Sequence, residues 1–150
     1  MEYAEVAFLL AEYNNWRQND YEAGVLASLS KWGISGTEAA DYVSALPPAS
    51  QQNVLNQKYI ALFGQFLEGW SDYRRTGFPN FLIKRGDTVF TGTINGEQVT
   101  YTFNPLFGDG GVPSRLYYPV KEQSVNLENY QAAVATQGND VIETKLWVFK

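Results

Sequence analysis

Apolar residues recur at steps of three and four through the first half of the chain and at steps of two beyond Pro79, so helices precede strands. Val6, Leu9, Leu10, Tyr13 and Trp16 predict a first amphipathic helix with this stripe inward, while Glu2, Glu5 and Glu12 fall mostly elsewhere on the wheel. Asn19 with Glu22 forms a capping pair for a second helix, whose Tyr21, Val25, Ser28 or Leu29 and Trp32 make the next stripe before Gly33 ends it. Together the two predict a helical hairpin. A third helix is expected from Thr37 to Leu46, capped by Ser35 or Thr37, with Tyr42, Val43 and Leu46 inward and Pro47-Pro48 as the stop. Ser50 then caps what reads as one long helix, in which Leu55, Tyr59, Leu62, Phe66, Trp70 and Tyr73 line a single face.

Beyond Pro79 the alternation Phe90, Gly92, Ile94 and then Val99, Tyr101, Phe103 brackets Asn95-Gly96. That dipeptide favours a two-residue type I′ turn, which pairs Ile94 with Glu97, Gly92 with Val99 and Phe90 with Tyr101. The aromatic face is expected to pack and the threonine face to meet water. A loop rich in Gly and Pro over 104–119 leads to a short helix that starts at Asn126 and ends near Gly138. The apolar tail 144–149 is expected to dock. The fold class is therefore mostly α with one small β-hairpin, in one domain over 1–150.

The end of the long helix concentrates unusual residue types. Glu68, Asp72 and Arg75 stand at helical offsets on the face opposite the apolar stripe and are expected to form one ion network. Arg74 lies one turn beyond Trp70, in reach of its indole, and Gly77 suits a left-handed C-terminal cap before Pro79.

Composition removes several function classes. A net charge of −5 supplies no basic stripe to displace counterions from phosphates, so no nucleic-acid partner is expected. The chain has no His and no Cys, hence no imidazole base, no thiolate and no cysteine-held metal; neither metal nor cofactor is expected. Asp109 and Glu122 are the only pair considered for carboxylate catalysis, and Asp109 among glycines reads better as a turn former. No run approaches the ~20 apolar residues of a membrane span, and the first residues lack a signal-peptide pattern. The ten Tyr, nine Phe and four Trp exceed what a small core needs, so some are expected to face a ligand or partner.

Several segments, in order, resemble the C-terminal portion of the SusD/RagB-like nutrient-binding lipoproteins of the outer membrane. They are Tyr3-Ala4-Glu5-Val6 with Phe8-Leu9-Leu10-Ala11-Glu12, then Tyr21-Glu22-Ala23-Gly24-Val25 and Trp32-Gly33. Gln57-Lys58-Tyr59-Ile60-Ala61-Leu62-Phe63, Glu68-Gly69-Trp70 and Arg74-Arg75-Thr76-Gly77-Phe78-Pro79 follow. Pro113-Ser114-Arg115-Leu116-Tyr117-Tyr118-Pro119, with Glu122, Asn126, Asn129 and Tyr130, and finally Lys145-Leu146-Trp147, close the set.

The resemblance implies tetratricopeptide-like helical hairpins and non-catalytic capture of an oligosaccharide, or less often a peptide, at the cell surface. It also implies delivery to a SusC-like TonB-dependent transporter as partner. Family members run to several hundred residues, so a truncated product or fragment is expected, with signal, lipid anchor and N-terminal helices lying elsewhere. Apolar faces would then be exposed or covered by self-association. A purely structural or interaction fragment without ligand binding is the alternative. Glu68, Trp70, Asp72, Arg74, Arg75, Gly77, Pro79 and Arg115 read as fold signature rather than ligand contacts. Capture needs flat aromatic faces, and Trp16, Trp32, Tyr42 and Tyr117 are the candidates. Trp16 and Trp32, at helical spacing, read rather as core, while Tyr42 and Tyr117 read nearly evenly as core or ligand contact.

Overall fold

The computed structural model describes residues 2–106, 108 and 111–149. Asp109, considered above for catalysis, lies outside the described residues. The chain divides into two compact units, residues 1–80 and 81–150.

The first unit is helical: α1 (Tyr3–Tyr13), α2 (Gln18–Lys31), α3 (Gly36–Ser44), α4 (Gln51–Ala61) and α5 (Phe66–Thr76). Helices α1 and α2 form the expected hairpin, and α4 packs against both. The core joins Ala4, Phe8 and Ala11 of α1, Tyr21 and Val25 of α2, and Val54 and Ala61 of α4. The face of α1 that turns inward is therefore the alanine and Phe8 face. Leu9, Leu10 and Tyr13, expected inside, are exposed, Tyr13 by 87%. The reason is close approach: Gly24 of α2 leaves room for the Phe8 ring, and the small alanines let the helices meet there.

The turn between α1 and α2 is held from both sides. Asn15 and Trp16 take positive φ values of 55° and 64°, and the Ala11 carbonyl accepts from the Trp16 N–H at 2.6 Å. A bulky residue in the left-handed region carries strain, offset here by packing of the Trp16 ring against the core. Arg17 donates through Nε and Nη2 to the two oxygens of Asp20, each at 2.6 Å, and Asn14 Nδ2 donates at 2.9 Å to the same carboxylate. Helix α2 thus begins before the expected Asn19–Glu22 capping pair, at an Arg17 cap whose side chain is bonded to Asp20 instead.

The expected single long helix is two. Ser50 caps α4 as predicted, its side chain accepting from the Asn53 N–H at 3.2 Å. The helix stops after Ala61, and Gly64 at φ 89° lets the chain turn before α5 begins at Phe66.

The second unit opens with an antiparallel hairpin of β1 (Thr88–Ile94) and β2 (Glu97–Thr102). Its register is the predicted one, with Ile94 opposite Glu97, Gly92 opposite Val99 and Phe90 opposite Tyr101. Asn95 and Gly96 both have positive φ, as the type I′ turn demands. The Phe90 and Tyr101 rings meet at 5.9 Å, yet both stay largely exposed, so the aromatic face packs mainly on itself. Helices α6 (Glu122–Val125) and α7 (Leu127–Gln137) follow, and α7 ends at Gly138 as expected. The tail forms a 3₁₀ turn over Trp147–Phe149, in which Trp147 and Val148 remain exposed rather than docked.

Candidate functional site

The segment after α4 builds a rigid corner. Lys58 of α4, nearly buried, donates to Asp72 Oδ1 of α5 at 3.0 Å. Arg75 reaches the same oxygen at 2.7 Å and also grips both oxygens of Glu12 on α1, at 2.5 and 2.8 Å. The Glu12 bonds, ahead of those to Asp72, hold the Arg75 guanidinium above its ordinary pKa. The ion network therefore exists, but two of its members differ from expectation. Among the described residues Glu68 makes no ionic contact, and Glu12 and Lys58 complete the chain instead. The polar face of α5 consequently turns toward α4 and α1, while Phe66 of the expected inward stripe is exposed, as is its neighbour Leu67.

The Arg74 guanidinium carbon lies 4.3 Å from the centre of the Trp70 indole, the stacking anticipated from their spacing. Gly77 adopts the left-handed cap, with φ 77°, and donates its N–H to the Tyr73 carbonyl at 2.7 Å. Pro79 follows through a cis bond and is fully buried. These residues fix backbone and helix ends.

The four aromatic candidates fall in different settings. Trp16 turns its ring onto the core. Tyr42 is exposed, and its hydroxyl accepts from Gln57 Nε2 at 3.1 Å. Tyr117, in the second unit, is exposed. Trp32 is the one that acquires neighbours suited to a flat ligand.

Trp32 ends α2 and packs at 6.0 Å on Phe63, which in turn meets the edge of Phe66 at 6.4 Å. All three are open to solvent, at 57%, 65% and 75%. Lys31 Nζ stands 5.4 Å from the indole centre and pairs with Glu2 Oε1 at 2.8 Å, so a charged edge borders the ring row. Phe63 and Phe66 were missed as ligand candidates because the broken helix that presents them was read as continuous.

In the second unit a buried ion pair organises a second aromatic group. Arg115 Nη2 lies 3.0 Å from Asp140 Oδ1, and the guanidinium covers the Tyr118 ring at 4.3 Å. Asp140 also accepts from the Tyr118 N–H at 3.1 Å and from the Tyr130 hydroxyl at 3.3 Å. Partial burial first, and then the Asp140 charge, push the Tyr130 phenol up, so it stays a proton donor. Among the described residues no His, Cys, Asp and Glu cluster could hold a metal ion. No helix there is long and apolar enough to cross a membrane.

The helical hairpin, the corner at Gly77–Pro79 and the β-hairpin are those of a SusD-like architecture. Residues 1–105 match the family model described as "Starch-binding associating with outer membrane", and the chain belongs to this SusD-like family. A SusD homologue from Bacteroides uniformis superposes with a TM-score of 0.66 at 27% identity, over 98% of this chain and 36% of its own. A chitin-binding protein gives a TM-score of 0.66 at 29% identity, over 99% of this chain and 32% of its own. A SusD-like protein from Bacteroidetes gives a TM-score of 0.70 at 24% identity, over 100% of this chain and 30% of its own. The chain thus spans about a third of the length of these solved relatives. No curated protein matches it.

Proposed function

We propose that the chain serves a SusD-like protein that captures oligosaccharide at the outer-membrane surface and passes it to a SusC-like TonB-dependent transporter. It binds its ligand and leaves it chemically unchanged. The observation that carries this reading is the family match over residues 1–105, whose description names starch binding and the outer membrane. The chitin-binding relative at 29% identity supports a glycan ligand over a peptide.

Within the chain, the Trp32, Phe63 and Phe66 row is the surface we assign to the glycan. Sugar rings present apolar C–H faces rimmed by hydroxyls, so flat exposed aromatics beside a charged edge provide the complementary chemistry. Trp16, Tyr42 and Tyr117 take lesser parts: the first steadies the α1–α2 turn, and the other two offer single exposed rings.

Native gel electrophoresis in gels cast with soluble starch or a soluble chitin derivative tests the reading. Retarded migration in one of them, relative to a glycan-free gel, is the expected result. Unchanged mobility in every glycan gel would overturn it.

A further inference from the structure

The second unit holds a cavity of about 340 Å³ between the Tyr118-Pro119 segment and the start of α7, beyond the residues that the family model matches. We propose that it is a separate subsite for one uncharged sugar ring. This goes beyond the aromatic row around Trp32, and it rests on the same reading of the protein as a glycan binder.

Its walls divide by chemistry. Tyr118, Pro119, Tyr130 and Ala133 supply apolar surface. The two tyrosine rings stand edge to face at 5.8 Å, and the Arg115 guanidinium covers Tyr118. Asp140 ties the Tyr118 backbone, the Tyr130 hydroxyl and Arg115 together, so the apolar wall is set before any ligand arrives.

The opposite chemistry comes from a relay of three side chains that also line the cavity. Asn129 Nδ2 donates to Asn126 Oδ1 at 2.6 Å, and Asn126 Nδ2 donates to Glu122 Oε2 at 2.9 Å. The relay leaves an amide oxygen at one end, a carboxylate oxygen at the other and amide N–H groups between, an array that suits adjacent hydroxyls acting as donor and acceptor. The volume lies near the lower end for small-molecule pockets and accommodates a sugar ring.

Charge excludes acidic sugars. Glu122 forms no ion pair among the described residues, so its carboxylate repels uronic or other acidic sugars while accepting from neutral hydroxyls.

The test is ¹H–¹⁵N correlation NMR on the full chain, titrated with maltoheptaose, chitohexaose, a galacturonate oligomer and a glucosamine oligomer. Amides over 118–133 are expected to shift with a neutral oligosaccharide and not with galacturonate. Ala133→Phe, which fills the cavity, should abolish those shifts. Asn129→Ala, at an exposed position, should weaken them about tenfold. Unchanged hairpin amides over 88–102 report folding of the second unit in both variants. No shift over 118–133, shifts that survive both substitutions, or a response to the acidic or the cationic oligomer alone would overturn the proposal. Shifts confined to Trp32, Phe63 and Phe66 would sink this subsite and leave the proposed function standing; no shift anywhere would sink both.

Discussion

Gly24 lies so close to the ring of Phe8 that a Cβ at that position would stand 2.8 Å from Phe8 Cε1. Phe8 is fully buried, so any displacement of its ring must disturb the core around it. Alanine gains up to about 1 kcal/mol of helix propensity over glycine, but overpacking a filled core costs about 1–3 kcal/mol. Gly24→Ala is therefore expected to destabilise the first unit, read as a lower urea midpoint at unchanged slope.

Gly77 differs, because nothing lies within 4 Å of a Cβ placed there, yet its φ is +77°. Its substitution by alanine costs conformational energy alone, about 1–2 kcal/mol. A matching fall in the thermal midpoint, with the near-UV spectrum of the Trp70 and Arg74 stack retained, is the expected outcome.

Lys58 and Asp72 are paired where side-chain exposure is only 5% and 13%. Removing one partner from a buried pair leaves a charge uncompensated and costs about 3–5 kcal/mol. Asp72→Ala should approach that loss, since it orphans Lys58. Lys58→Met should cost clearly less, since Asp72 keeps Arg75 at 2.7 Å. Chemical denaturation of both variants checks the asymmetry, and equal losses would count against the pairing.

Asp20 sets an acid limit. The hydrogen bond from Arg17, and then that from Asn14, hold its carboxyl below the ordinary value of 3.8. A group whose folded-state pKa is depressed contributes stability above its unfolded value and loses it as pH falls through the folded one. Stability is therefore expected to be level in Asp20 down to about 3.8 and to fall below that pH. Asp20→Asn should lower the neutral-pH midpoint and flatten the acid limb, measured as urea midpoints across the acid range.

Local rules made much of this legible. The hairpin register followed from Asn95-Gly96, because two successive positive φ values admit few other residue pairs. The Gly77 cap and the Arg74–Trp70 stack followed from spacing within one helix. What failed depended on partners far along the chain. Leu9, Leu10 and Tyr13 make as good a stripe as any, and only Gly24 facing Phe8 reveals that the alanine face is inside. The stripe from Leu55 to Tyr73 runs unbroken through Gly64, so periodicity alone concealed the bend. Glu12 and Arg75 stand 63 residues apart, beyond any helical offset rule, and Glu68 was the nearer and wrong choice. Trp32 was readable as a ligand candidate, but the Phe63 and Phe66 beside it were not, since the bend brings them there.

Isothermal titration of the full chain with starch and chitin oligosaccharides tests the central claim most directly. The account predicts heat of binding with at least one of them, weakened tenfold or more by Trp32→Ala, in line with the ~2 kcal/mol typical of an aromatic hot spot. A chain that is folded by circular dichroism yet gives no heat with any glycan, or binds equally well without the Trp32 indole, would contradict it.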